Sequence, residues 1–304
     1  MSFATYHQTA SSPQIMNWSL VKHLKKGKFG DVYLVKNAMT GQHQTMKAVP
    51  KGKIRDFDKC FYHETSALSC LQDIGGVVNL FYSESRFATH DFYIMEYLDA
   101  NLDDLRMKNF PMTFRPPTIL QLLYEMVNIA EAIHTRGIYH QDMKLSNFMI
   151  KFTPGYSQLK LVDFGMAATY YETTHLPSRI FFLNKPYSSP WVSKECAFQQ
   201  SEEIVTIGMV AVHMALGIVP WYCPDPMRML YYKTLFVEDP EFFLKPYNTH
   251  VDAVVKNFVQ TPYGELVDYN AKRQILADAY YKMTACFISS NIRAYTIGND
   301  IRLD

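Results

Sequence analysis

The chain has 304 residues, 48% apolar and 14% aromatic, enough to bury a large core in two lobes. A formal net charge of +1 excludes a global field that would draw the chain to nucleic acid or to a membrane surface. The five cysteines (Cys60, Cys70, Cys196, Cys223, Cys286) are scattered and form no C-x-x-C pair. That argues against zinc and a disulfide framework, and for a reducing, intracellular compartment.

Residues 1–16 are polar and rich in Ser, Thr and Gln, so disorder is expected there. No charged start precedes an apolar run, and no secretory leader is expected. Strands are expected at 32–35 and 44–49 around a Thr40-Gly41 turn, and again at 77–82 and 92–97. Between these pairs, residues 57–71 read as a helix with Phe61, Ala67, Leu68 and Leu71 on one face. After Leu98 the character changes. Residues 120–134 form an amphipathic helix with Leu122, Leu123, Met126, Ile129, Ala130 and Ile133 as its stripe, stopped by Gly137. Short strands follow at 148–152 and 159–162, then an irregular segment and helices to about residue 287. The apolar run 204–221 contains Thr206, His213 and two glycines, and reads as a buried helix rather than a membrane span. Residues 289–304 are either a tail or a final helix.

Four groups of residues carry chemistry. Gly27 and Gly30 lie between two expected strands and either let backbone N–H groups approach phosphates or simply close a hairpin. Lys47 sits among Met46, Ala48 and Val49 and would be costly to bury unpaired. Glu64 on the next helix is a suitable partner, although both could be surface charges. His140-Gln141-Asp142-Met143-Lys144-Leu145-Ser146-Asn147 places a carboxylate, a cation and an amide in one loop. Asp163-Phe164-Gly165 adds a second carboxylate one hairpin later.

In this order and spacing the strings resemble eukaryotic-type serine/threonine protein kinases, over about residues 18–287. The resemblance implies an α+β, bilobal kinase fold. A small β-rich N-lobe with one main helix and the hinge would occupy 17–98, and a larger, mainly helical C-lobe would occupy 99–288, with ATP between the lobes. It implies that Gly27, Gly30 and Val32 cover the nucleotide and that Lys47, oriented by Glu64, binds phosphates. Met95 would guard the adenine pocket. Glu96, Tyr97 and Leu98 would form the hinge, Asn101 would approach the ribose, and Met149 would join the nucleotide site. Asp142 would direct the substrate hydroxyl, Lys144 would neutralise the γ-phosphate, and Asn147 and Asp163 would hold Mg²⁺, or alternatively Mn²⁺. Leu68, Leu80, His140 and Phe164 match the family's apolar column that aligns the lobes.

Departures from the family pattern are as informative. Lys25 stands for the first loop glycine and Thr45 for the alanine over the adenine. Gln141 replaces the arginine that reads a phosphorylated activation segment, so phosphorylation at Thr169, Tyr170, Tyr171, Thr173 or Thr174 is not expected to be the main switch. Asn184 replaces a threonine and Glu203 an aspartate. Trp191 replaces a buried glutamate, with its indole expected to pack in place of an ion pair. Ser146 and His213 occupy positions where basophilic kinases carry carboxylates.

The compact chain and eroded structural positions resemble viral kinases of the baculovirus serine/threonine group. That narrower likeness implies a place in the cytoplasm or nucleus of a host cell and basic DNA-binding proteins among the protein substrates. Direct nucleic-acid or membrane binding is not implied. Phe57, Phe61, Tyr62, Leu68 and Cys70 either face the core or receive a partner surface such as a second copy of the chain. The rival readings are a pseudokinase scaffold that binds nucleotide or a partner without turnover, and a small-molecule phosphotransferase.

Overall fold

The computed structural model describes residues 14–27, 30–51, 55–85, 87–175, 186–193, 197–244, 247–298 and 300–303, and of residues 14, 55–60, 171, 174, 175 and 193 the backbone only. The expected positions Asn184, Phe57 (side chain), Cys60 (side chain) and Cys196, with the side chains of Tyr171 and Thr174, therefore lie outside the description. The chain divides into two compact units, 1–98 with 163–165, and 99–162 with 166–304.

The first unit is an antiparallel sheet carrying one helix. Its elements are β1 (Gln14–Ile15), β2 (Trp18–Lys26), β3 (Asp31–Asn37), β4 (His43–Pro50), α1 (Arg55–Cys70), β5 (Leu80–Glu84) and β6 (His90–Glu96), in the sheet order β1-β2-β3-β4-β6-β5. Trp18, Val35, Met46, Phe92 and Ile94 form a core on one face. The Trp18 indole is satisfied there by Gln44 Oε1 at 2.6 Å. Two expectations shift. Gln14 and Ile15 pair with β2, so the expected disorder of 1–16 does not hold for them, and residues 1–13 lie outside the description. Val77 and Val78 are buried but precede the strand, which starts at Leu80.

The second unit is mainly helical. After β7 (Ala100–Asn101) come α2 (Leu102–Met107), α3 (Pro116–His134), β8 (Ile138–Tyr139), β9 (Phe148–Lys151), β10 (Gln158–Leu161), β11 (Ala168–Thr169) and α4 (Tyr170–His175). Then follow α5 (Pro190–Ser193), α6 (Gln200–Leu216), α7 (Pro226–Glu238), α8 (Pro240–Leu244), α9 (Thr249–Val259), α10 (Tyr269–Thr284), β12 (Ala294–Ile297) and β13 (Asp300–Leu303). Helix α3 begins earlier than its apolar stripe suggested, because Pro116 and Pro117 fill the first turn, where no N–H partner is needed. It ends before Gly137, which adopts φ 68°.

Helix α6 is the centre of this unit and is buried on nearly every side. A Cβ on Gly208 would lie 2.7 Å from Val259 Cγ1, so the glycine sets how closely α6 and α9 approach. None of the described helices is long and apolar enough to cross a membrane. Residues 289–303 form neither a tail nor a helix. β12 and β13 pair as an antiparallel hairpin from Ala294↔Leu303 to Ile297↔Asp300.

Candidate active site

The first unit concentrates charge at Lys47. In β4, Lys47 lies opposite Val32 of β3 and Tyr93 of β6, which places its side chain on the buried face of three strands. Its Nζ donates to Glu64 Oε2 at 2.7 Å and to Asp163 Oδ1 at 2.9 Å. Burial alone would lower the Lys47 pKa. The carboxylates of Asp163 and Glu64 outweigh burial and hold it well above its usual value, so the side chain is a cation. Burial pushes the Glu64 carboxyl up, and Lys47 pulls against it.

Tyr93, which the sequence reading missed, stands 5.8 Å from Lys47 Nζ measured to its ring centroid. Burial and then Glu64 raise its hydroxyl, so it stays protonated. A Tyr between Phe92 and Ile94 reads as ordinary strand filling. Its one available signal is that it faces Lys47 in register.

The glycines have a local cause. Gly27 N donates to Gly30 O at 2.9 Å, and a Cβ on Gly27 would lie 2.8 Å from that oxygen. Gly30 adopts φ 152°, and a Cβ there would lie 2.4 Å from Ala48 O. Hairpin closure therefore already demands both glycines, whatever they also do for a phosphate. Lys28 and Phe29 lie outside the description. Met95 is buried at the end of β6, and Glu96 N donates to Asn79 O at 2.9 Å. Leu98 is buried, whereas Lys25 is exposed on β2.

The second unit holds the catalytic-loop string. The Asp142 amide donates to His140 Nδ1 at 3.2 Å, so the ring proton sits on Nε2, which donates to Val162 O at 3.0 Å. His140 is thus a fully buried structural clip. Asp142 Oδ2 accepts from Lys144 Nζ at 2.5 Å and from Asn147 Nδ2 at 3.0 Å. Asn147 Nδ2 also donates to Asp142 O at 2.9 Å. A carbonyl can only accept, so the amide orientation is fixed and Asn147 Oδ1 is the oxygen turned to any ligand.

Glu203 braces the loop from α6 through two bonds. Its Oε1 accepts from the Gln141 amide at 2.7 Å, and its Oε2 accepts from His134 Nε2 at 2.6 Å. Burial pushes its carboxyl up, but His134, His140 and the Gln141 amide together hold it below the usual range. Gln141 itself adopts φ 63°. His134 also bonds the Tyr269 hydroxyl of α10, a partner not foreseen from sequence.

Asn101 caps α2, accepting from Asp104 N at 2.9 Å, while β7 places it opposite Met149. Trp191 is 36% exposed and meets Tyr263 with ring centroids 5.9 Å apart, so it does not fill a buried site. Buried polar contacts hold that segment instead. Lys233 Nζ donates to Ser188 Oγ at 3.0 Å, and the Ser189 hydroxyl donates to Glu202 Oε2. His213 bonds the Tyr187 hydroxyl, and burial followed by Arg106 lowers its pKa to about 4, so it is neutral at neutral pH.

Taken separately, each unit presents an oxygen donor of the kind Mg²⁺ prefers: a partly exposed carboxylate of Asp163 in the first and a fixed amide oxygen of Asn147 in the second. Among the described residues no cluster of three or more His, Cys, Asp or Glu could hold a metal ion. Mg²⁺ usually takes one or two protein ligands and completes its shell with phosphate and water.

The protein kinase domain family matches residues 18–259, about four-fifths of the chain. The chain belongs to the protein kinase domain family. Over 151 residues it is 30% identical to a probable serine/threonine-protein kinase of Dictyostelium discoideum. That match covers 49% of this chain and 30% of the relative, so the chain spans about a third of the relative's length. The kinase domain match ends at α9, leaving α10 and the β12–β13 hairpin beyond it.

Proposed function

We propose that this kinase domain is an active serine/threonine kinase that transfers the γ-phosphate of ATP, with Mg²⁺ or Mn²⁺, to protein hydroxyls. The observation that carries the reading is that every charged group needed for phosphoryl transfer is retained and held by specific partners. Lys47 is kept cationic by Glu64 and Asp163. Asp142, Lys144 and Asn147 are joined by hydrogen bonds in one loop. Mg²⁺ would be held by Asn147 and Asp163 and would supply charge neutralisation at the phosphates. Asp142 would accept or orient the substrate hydroxyl proton, and Lys144, whose Nζ donates to Asp142, would neutralise developing phosphate charge.

The pattern around the acceptor favours serine or threonine substrates through the Asp-x-Lys-x-x-Asn order of Asp142, Lys144 and Asn147. Neutral His213 and Ser146 give no carboxylate to read an arginine beside the acceptor. The likeness to baculovirus kinases supports basic DNA-binding proteins as substrates and an intracellular site of action. Uncharged Gln141 supports regulation other than by activation-segment phosphorylation. In keeping with that, Thr169 is engaged by Glu172, and Thr173 by the Tyr170 carbonyl. Phe61 and Leu68 face the core, whereas Tyr62 on α1 is 55% exposed and, with exposed Cys70, supports a partner surface there, a second copy included.

The test is transfer of labelled γ-phosphate to basic and mixed protein substrates with Mg²⁺ or Mn²⁺, beside Asp142→Asn. Label on Ser or Thr that disappears in the variant supports the reading. Nucleotide binding without transfer overturns it in favour of a scaffold. Alanine at Thr169 or Thr173 and phenylalanine at Tyr170 should leave turnover within about threefold, because no phosphate-reading arginine precedes Asp142.

A further inference from the structure

The segment after α10 grips the second unit at three places. Ala285 closes α10 at φ 55°, and the chain then runs past the turn between β9 and β10. Asn291 is the joint. Its Oδ1 accepts from Ser157 N at 3.0 Å and its Nδ2 donates to Gly155 O at 2.8 Å. The next residue, Ile292, donates its N–H to Ser157 O at 3.0 Å, forming a one-residue antiparallel bridge. Ser157 and Ile292 are almost fully buried. From α3, Gln121 Nε2 donates to Asn291 O at 2.6 Å and to Ser289 O at 3.2 Å. Farther on, Asp300 accepts from Lys108 Nζ at 2.6 Å, and Arg302 donates to the Lys108 carbonyl at the end of α2. Leu303 is buried beyond them.

The gripped elements carry candidate nucleotide and metal groups. Asn147 immediately precedes β9, and Met149 lies within it. Asn101 pairs with Met149 and caps α2. The β9–β10 hairpin has four-residue strands, and the two-residue β7 joins it along β9 only, so Asn291 and Ile292 supply the grip at the turn end, at Gly155 and Ser157. Twisting it would turn the Asn147 amide that Asp142 otherwise fixes.

We propose that residues 289–303 act as a clasp, with Asn291 as a positioning residue that holds the β9–β10 hairpin and thereby the Asn147 end of the metal site. The clasp lies outside the segment matched by the family. It deepens the proposed kinase reading and rests on it for the activity readout alone.

The test compares the full chain with Asn291→Ala and Asn291→Asp. Three quantities are followed: the KM for ATP and half-saturation by Mg²⁺, Mn²⁺–nucleotide binding, and amide hydrogen exchange in the metal-free protein. Removing both Asn291 bonds should raise KM and Mg²⁺ half-saturation about fivefold. Exchange should speed up at 147–151 and 158–162, with α6 and α9 unchanged. Asn291→Asp keeps the acceptor for Ser157 and should fall between the other two.

Exchange that speeds only within 289–303, or equally over the whole molecule, with KM and Mn²⁺ binding unchanged, overturns the clasp. Failure of the kinase reading is separable. If the unaltered chain transfers no phosphate, Mn²⁺–nucleotide binding and hydrogen exchange still decide. Equal values in Asn291→Ala and the parent then overturn the proposal.

Discussion

Glu202 should make this protein lose stability as pH rises through neutrality, and Glu202→Gln should remove that slope. The residue is fully buried at the start of α6 beside Glu203. Its Oε2 takes the Ser189 hydroxyl, while Oε1 is buried without a hydrogen-bond partner among the described residues. Burial pushes its pKa from 4.5 to about 8, against a weaker pull from the Val192 amide. Between those values the native state keeps a proton that the unfolded chain has released. The contribution to stability is therefore full below 4.5 and is lost as pH rises toward about 8. Integrated from about pH 5 to about pH 8, linkage gives a loss of about 3 kcal/mol. Glutamine has the shape of the neutral acid and no such titration. Urea unfolding of both proteins across this range isolates the effect, because other groups, His213 among them, titrate equally in each. The difference between the two stabilities should grow by about 3 kcal/mol toward the alkaline end. Parallel curves would refute the reasoning and show that Glu202 is ionised in the native state.

Three further outcomes are expected. Lys47→Met strands the Glu64 carboxylate, so stability measured by thermal melting should fall by about 3 kcal/mol, and transfer by about 100-fold or more. Gly30→Ala forces a Cβ to within 2.4 Å of Ala48 O at φ 152°, and calorimetry should show a loss of about 2 kcal/mol. Glu203 has a depressed pKa, so its contribution is full above 4.5 and is lost as pH falls through its lower folded value. Glu203→Gln should cost about 2 kcal/mol at neutral pH and flatten the acid limb of a pH-dependent unfolding curve.

What could be read directly from the sequence was the part that chemistry restricts. Few residue types can serve as a buried phosphate-side lysine, a loop carboxylate two residues from a lysine, or an amide oxygen ligand, so Lys47, Asp142, Lys144, Asn147 and Asp163 stood out. Groups whose meaning depends on a partner far along the chain did not. Glu203 was legible only through the family resemblance, as the replacement for an aspartate, and Glu202 beside it carried no signal beyond that of a first-turn acid. About 100° of helical rotation separates adjacent residues, so Glu203 meets His134 and Gln141 while Glu202 meets Ser189. Tyr269 and Lys233 were missed for the same reason. The C-terminal hairpin did leave a trace. Gly298-Asn299 is a two-residue hairpin signal between Ala294–Ile297 and Asp300–Leu303, hidden by the polar character around it.

At two departures from the kinase pattern, Gln141 and Trp191, the surrounding chain is held by bonds that do not use the replaced side chain. At Gln141 the loop anchor uses the backbone amide, which Glu203 holds whatever side chain stands there. The loop anchor is therefore independent of the side chain at position 141. At Trp191 an ion-pairing carboxylate is lost, yet Ser188 and Ser189, just before it, are tied to Lys233 and Glu202 from inside the unit. The Lys47 pair and the Asp142–Asn147 bonds likewise need no phosphate to form. A chain built this way keeps its catalytic groups placed by permanent internal partners. The proposed control by a partner then falls on the outer face of α1, where Tyr62 is exposed.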